Sequence, residues 1–207
     1  MRHLLLLAIL PLATLVHAEE QSRSLGAYSS INIRGPISLA VDAGKAHTLT
    51  VRGNKDFIDR VVTEVVDGRL NISYLHEDNK VNVKGDARIL ITLPMLAKLT
   101  ANGAGETILS HMEGERLDIV YNGAGRLEAS GKVKVLHLTA QGVGEVDTHA
   151  LIAEDADVNF NGIGAVKVYA NGRLNAVVRG MGDLIYYGKP RSVNKSVAGI
   201  GSVKAGD

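Results

Sequence analysis

The sequence predicts a mainly β chain: a solenoid of stacked coils, each about 19 residues long, under an N-terminal β-rich cap that contains one short helix. Two observations carry that prediction. The first is a Gly-x-Gly triplet that recurs six times, at Gly103/Gly105, Gly123/Gly125, Gly142/Gly144, Gly162/Gly164, Gly180/Gly182 and Gly199/Gly201, in steps of 20, 19, 20, 18 and 19 residues. The second is a two-residue alternation around every triplet, which is the side-chain period of a strand.

The columns of this repeat define an interior. Two residues after each triplet stand Thr107, Leu127, Val146, Val166, Leu184 and Val203. Four before it stand Leu99, Ile119, Leu138, Val158 and Ala176, with Lys195 breaking the series. Two before it, Ala101, Tyr121, Ala140, Phe160 and Val178 alternate small and large, as neighbours sharing one slot of a close-packed core must. The preceding position reads Asn102, Asn122, Gln141, Asn161, Arg179, Ala198, and its amides can form a ladder from coil to coil. Glycines at the triplet fit a corner that needs positive φ or close backbone approach. A phosphate-binding loop would require a helix after the glycines, and strands follow instead. Calcium-binding nonapeptides would require a fixed aspartate, but the residue after the triplet reads Glu106, Arg126, Glu145, Ala165, Asp183, Ser202. The residue between the glycines (Ala104, Ala124, Val143, Ile163, Met181, Ile200) grows more apolar towards the C-terminus. Strand parity points it outward, a glycine corner can reverse that parity, and the direction stays open at this level.

The stretch before the repeats reads as strands at 28–33, 37–41 and 47–52, split by the turns Gly35-Pro36 and Gly44-Lys45. Asn54 opens a short helix over 55–62, with Phe57, Ile58, Val61 and Val62 on one face. Asp67-Gly68 joins two strands in a hairpin. Residues 76–86 are polar and read as a loop, and 87–93 reads as a strand. The resulting division is a signal peptide over 1–18, a β cap over 19–93 and repeats over 94–207. The last two read as one continuous domain, because no Gly/Ser-rich linker separates them.

The signal peptide follows from Arg2-His3, the apolar run Leu4–Val16 and the small residue Ala18, in the order of a secretory leader. The run is short for a membrane span, so no integral membrane segment is expected after cleavage. No cysteine occurs, which removes disulfides, thiol nucleophiles, Cys-based zinc and a lipidated cysteine. Without Arg2 the chain carries 22 basic and 22 acidic residues, so nucleic acid is not an expected partner.

One long quotation carries a family resemblance: YSSINIRGPISLAVDAG, then LTVRGNKDFIDRVVTEVVDGRLNISY, then ILITLPMLAKLTANGAGET. The Leu93-Pro94-x-Leu96-x-x-Leu99 segment leading into Asn102-Gly103-Ala104-Gly105 is its most specific piece. In these residues the chain resembles domain-of-unknown-function family 2807, the GIN domain, labelled a "putative autotransporter adhesin head domain". The resemblance runs from about Leu25 to the C-terminus. It implies an exported bacterial protein with a right-handed parallel β-helix-like fold and no assigned activity. Only six residues follow Gly201, which leaves no room for an autotransporter barrel and favours the periplasm alongside the cell surface as the destination.

No catalytic constellation is expected. His47, His76, His111, His137 and His149 show no metal-binding spacing, and no nucleophile elbow occurs, so neither metal nor cofactor is assigned. The one candidate patch comes from stacking the coils: Arg126 and Glu145 in one outward column, Glu128, Asp147 and Lys167 in the next. It reads as a solvated face of paired charges on a non-enzymatic structural or binding module. The alternative is a polysaccharide-active enzyme using Glu128 and Asp147. Expected partners are a cell-surface or envelope component or a glycan, together with a second copy meeting the solenoid ends or faces.

Overall fold

The computed structural model describes residues 19–75 and 87–207. They form one curled, mixed β-sheet with a single short helix. In chain order the elements are β1 (Glu19–Ser22), β2 (Ser30–Arg34), β3 (Ser38–Ala43), β4 (Thr48–Gly53), α1 (Lys55–Arg60), β5 (Val61–Val66), β6 (Arg69–Tyr74), β7 (Arg88–Leu93), β8 (Lys98–Ala170), β9 (Arg173–Tyr187) and β10 (Ser192–Ala205). The expected loop over 76–86 lies outside the described residues.

Strand β8 is one unbroken extended stretch that folds back along itself. Each glycine of a triplet sits against its counterpart one repeat earlier: Gly123 on Gly103, Gly142 on Gly123, Gly162 on Gly142. The same stacking continues as parallel pairing. Gly162 and Gly164 are in register with Gly180 and Gly182 between β8 and β9, and those with Gly199 and Gly201 between β9 and β10. The repeat period read from the sequence is therefore the pairing register of the sheet. Glycine is required because the rungs touch there. At Gly144, φ is +149° and an added Cβ would collide with the Gly125 carbonyl.

The expected interior columns are buried. Leu99, Ile119, Leu138, Val158 and Ala176 line one side, and Ala101, Tyr121, Ala140, Phe160 and Val178 fill the adjoining slot. They belong to one cluster that continues into Ile31, Leu70 and Ile89 beneath the N-terminal strands. The amide ladder is present in part, with Asn122 donating to Asn102 at 2.9 Å.

Strands β2 and β3, read from the sequence as part of the cap, form a rung of the same ladder. Ile31 and Ile33 pair in parallel with Leu99 and Ala101, and Leu39 with Thr107. Gly35-Pro36-Ile37 occupies the corner, with Gly103 over Gly35 and Gly105 over Ile37. On the far side, β6 runs parallel to β2 and β7 parallel to β3. Antiparallel strands then close that end: β5 on β6, β4 on β7 and β1 on β4. The β5–β6 hairpin turns at Asp67 (φ +49°) and Gly68 (φ +70°), the pair of positive φ values a tight hairpin needs. Helix α1 starts where expected, because the Asn54 side chain accepts the Phe57 N–H at 2.8 Å. The expected end at 62 is two residues late, since Val61 already pairs with Tyr74 in the sheet.

At the opposite end, among the described residues, β10 pairs only with β9 and leaves its other edge uncovered. Lys195, the break in an apolar column, is in register with Ala176 on this last rung, and its Nζ reaches the Val203 carbonyl at 3.4 Å. A charge in the interior column of an edge strand opposes further strand addition.

Candidate functional site

All five charges singled out from the sequence meet on one face. Arg126 contacts Glu128 on its own rung and reaches Glu145 on the next, at 3.5 Å. Lys167, one rung further, bridges Glu145 at 2.8 Å and Asp147 at 3.2 Å. Each cation lies between two carboxylates, so Glu128 and Asp147 are separated by positive charge rather than sharing a proton.

Asp147 is the least accessible member, with 9% of its side chain exposed. Burial pushes its pKa up, but hydrogen bonds from His149 and Lys167 outweigh that and hold it below the usual carboxylate range. Its bonds to Glu145 and Asp147 raise the Lys167 ammonium above the ordinary lysine value. Thr148, facing inward, donates to the Lys167 carbonyl at 2.8 Å and ties the backbone of the two rungs together.

His149 joins the cluster through Asp147, which accepts from its Nδ1 and from its backbone N–H. Its ring also packs on Tyr187, with centroids 5.6 Å apart. Neither residue stands in the outward columns that define the patch, but an i, i+2 pair on one strand shares a face, and that parity was a usable signal for His149. Tyr187 stands, like His149 and Tyr169, five residues after its triplet, and it pairs in register with Tyr169, so the repeat column was a usable signal for it too.

A second feature runs along the glycine corners. The residues between the glycines point outward: Ala104 and Ala124 are exposed, and Val143, Ile163, Met181 and Ile200 are exposed by 55, 46, 52 and 78%. With no side chain on the flanking glycines, they form a bare apolar ridge. Elsewhere, a shallow groove of about 820 Å³ crosses the repeats between Glu113, Glu115, Lys132, Lys134, Glu154 and Arg191. Two of its charge pairs close on themselves, Lys134 with Glu115 at 2.7 Å and Arg191 with Glu154 at 3.8 Å.

Among the described residues no three His, Asp or Glu side chains gather as a metal site, and no helix is long and apolar enough to cross a membrane.

Residues 27–190 match the family model described as "Putative auto-transporter adhesin, head GIN domain". The chain belongs to this family. The same fold is seen in a crystal structure of a "putative adhesin" from Bacteroides fragilis NCTC 9343, at TM-score 0.73 and 21% identity, covering 92% of this chain and 97% of that one. A "putative lipid binding protein" from Parabacteroides distasonis ATCC 8503 aligns at TM-score 0.51 and 22% identity over 93% of this chain and 98% of that one. The search of curated proteins returned no match.

Proposed function

We propose that this GIN-domain chain is an exported, non-enzymatic structural and binding module, wound as a right-handed parallel β-helix-like solenoid and working in the periplasm or at the cell surface. The observation that carries the non-enzymatic reading is the closed charge network. A hydrolytic site needs a carboxylate held ready to give or take a proton. Here Glu145 and Asp147 are bridged by Lys167, and Glu128 is held by Arg126. The in-register stacking of glycine on glycine supports the solenoid, and the strong right-handed bias of parallel crossovers supports its hand. The basic, apolar and small-residue order of residues 1–18 supports export.

Such a rod offers its partners rigid outward columns, and a cell-surface or envelope component or a glycan is the proposed class. The test pairs binding of the exported protein to envelope fractions and a glycan array with a polysaccharide-cleavage assay. Saturable binding without cleavage is expected. One contact favours the enzymatic alternative: Asp147 holding the His149 imidazole, an arrangement that orients a base. Cleavage that disappears in Glu128→Gln and Asp147→Asn would replace the binding-module reading with that one.

A further inference from the structure

The ridge and the charge distribution of the chain coincide in a way the ion-pair network does not explain. The ridge is most prominent at its C-terminal end, where Met181 is 52% and Ile200 78% exposed, and on the same last rung Val197 of the interior column is 42% exposed. Charge is divided along the same axis. Residues 171–207 carry six basic residues (Arg173, Arg179, Lys189, Arg191, Lys195, Lys204) against two acidic ones (Asp183, Asp207), whereas residues 19–170 carry sixteen against twenty. A chain that is neutral after residue 18 thus has a basic end and an acidic remainder. Arg179 lies two residues before Met181 and Lys204 four after Ile200, while Lys195 stands in the interior column of the same last rung. Arg173 pairs with Asp155 and Arg191 with Glu154, but Arg179 bonds to the Asn159 amide oxygen and Lys195 to a backbone carbonyl, and among the described residues neither of these two meets a carboxylate.

We infer that this end docks on an anionic lipid surface, with Met181 and Ile200 entering the boundary between headgroups and acyl chains and the surrounding cations facing lipid phosphates. Apolar side chains raised on a glycine bed, next to unneutralised cations, are the two ingredients of interfacial binding. Its strength scales with the apolar area inserted and the attraction to anionic headgroups. A second copy fits the same surface less well. Symmetric docking of two such ends brings two net positive charges together, and end-on stacking would bury the Lys195 ammonium in an apolar column. The inference rests on the binding-module reading and names its partner.

The test is flotation of the protein recovered from the exported fraction with vesicles of phosphatidylcholine alone, or of phosphatidylcholine and phosphatidylglycerol in equal parts. Binding is expected to the mixed vesicles only and to weaken as salt rises. Met181→Ser combined with Ile200→Ser should reduce binding at least tenfold with an unchanged urea midpoint, because both side chains are exposed. Lys189→Gln and Lys204→Gln should each cost about fivefold and flatten the salt dependence. Equal flotation of the doubly substituted protein would overturn the assignment to the ridge. Absence of flotation would overturn it too, and so would concentration-dependent self-association abolished by the same substitutions without vesicle binding. Binding to envelope fractions without binding to protein-free vesicles would sink the lipid inference alone, and binding to neither would sink the module reading as well.

Discussion

Replacing Gly144 with alanine should destabilise the chain by about 2–6 kcal/mol, and the size follows from two separable contributions. The first is conformational. At φ +149° an L side chain is strained, at a cost of about 1–3 kcal/mol. The second is steric. The new Cβ would collide with the Gly125 carbonyl, which is backbone and cannot rotate away, so the rungs must part, at about 1–3 kcal/mol. Three other glycines isolate these terms. Gly44 has φ +82° and nothing within 4 Å of an added Cβ, so Gly44→Ala should cost only the strain, about 1–2 kcal/mol. Gly123 lacks the positive φ but its Cβ would strike the Gly103 carbonyl, so Gly123→Ala should cost only the collision. Gly26 has neither problem, and Gly26→Ala should lie within about 0.5 kcal/mol of the unsubstituted chain. Urea unfolding with the slope and midpoint fitted separately measures all four. The reasoning is refuted if Gly144→Ala and Gly26→Ala unfold at the same midpoint, or if Gly44→Ala costs as much as Gly144→Ala.

Other outcomes follow from the same structure. Tyr121 is buried with no partner for its hydroxyl among the described residues, so Tyr121→Phe should leave stability unchanged or raise it by up to about 1 kcal/mol, and a clear loss in urea unfolding would contradict this. Asp147 has a pKa lowered in the folded state, so its contribution is complete above the unfolded aspartate value near 3.9 and is lost as pH falls through the lower folded value. Asp147→Asn should therefore cost about 1–3 kcal/mol at neutral pH and show a shallower loss of stability below about pH 4, where equal slopes would sink the assignment. Lys195→Val restores the apolar column on the open last rung, and sedimentation should then show more self-association than the parent chain shows at equal concentration.

Much of the fold was legible because period and register are one quantity in a stacked sheet. The 18- to 20-residue steps between triplets are the offsets at which Gly180 meets Gly162 and Gly199 meets Gly180. Local chemistry was equally readable where it was self-contained, as at the Asn54 cap and the Asp67-Gly68 turn. The rung made by β2 and β3 was hidden because its corner, Gly35-Pro36-Ile37, keeps one glycine of the pair and because 68 residues separate Gly35 from Gly103. Its hydrophobic signature was nonetheless present, since Ile31-x-Ile33-x-Gly35 repeats the Leu99-x-Ala101-x-Gly103 pattern. The five-charge patch could be assembled from columns alone, as each member sits at a fixed offset from its triplet. Tyr187 was legible by the same rule, since His149, Tyr169 and Tyr187 each stand five residues after their triplet and Tyr169 pairs in register with Tyr187, although the ring contact itself needs side chains that lean across rungs. Strand parity pointed the ridge outward, as the exposed Val143, Ile163, Met181 and Ile200 are, but only the backbone at the glycines shows that the corner does not reverse it.

That direction is the central claim, and thiol modification tests it in a chain that has no cysteine of its own. Single substitutions Val143→Cys, Ile163→Cys, Met181→Cys and Ile200→Cys probe the ridge, with Val146→Cys and Val166→Cys as interior references. The outward geometry predicts ridge thiols that react nearly as fast as a free thiol in the folded protein, beside references that react only on unfolding. Ridge thiols as slow as the references would place these side chains inside the corner and contradict the account.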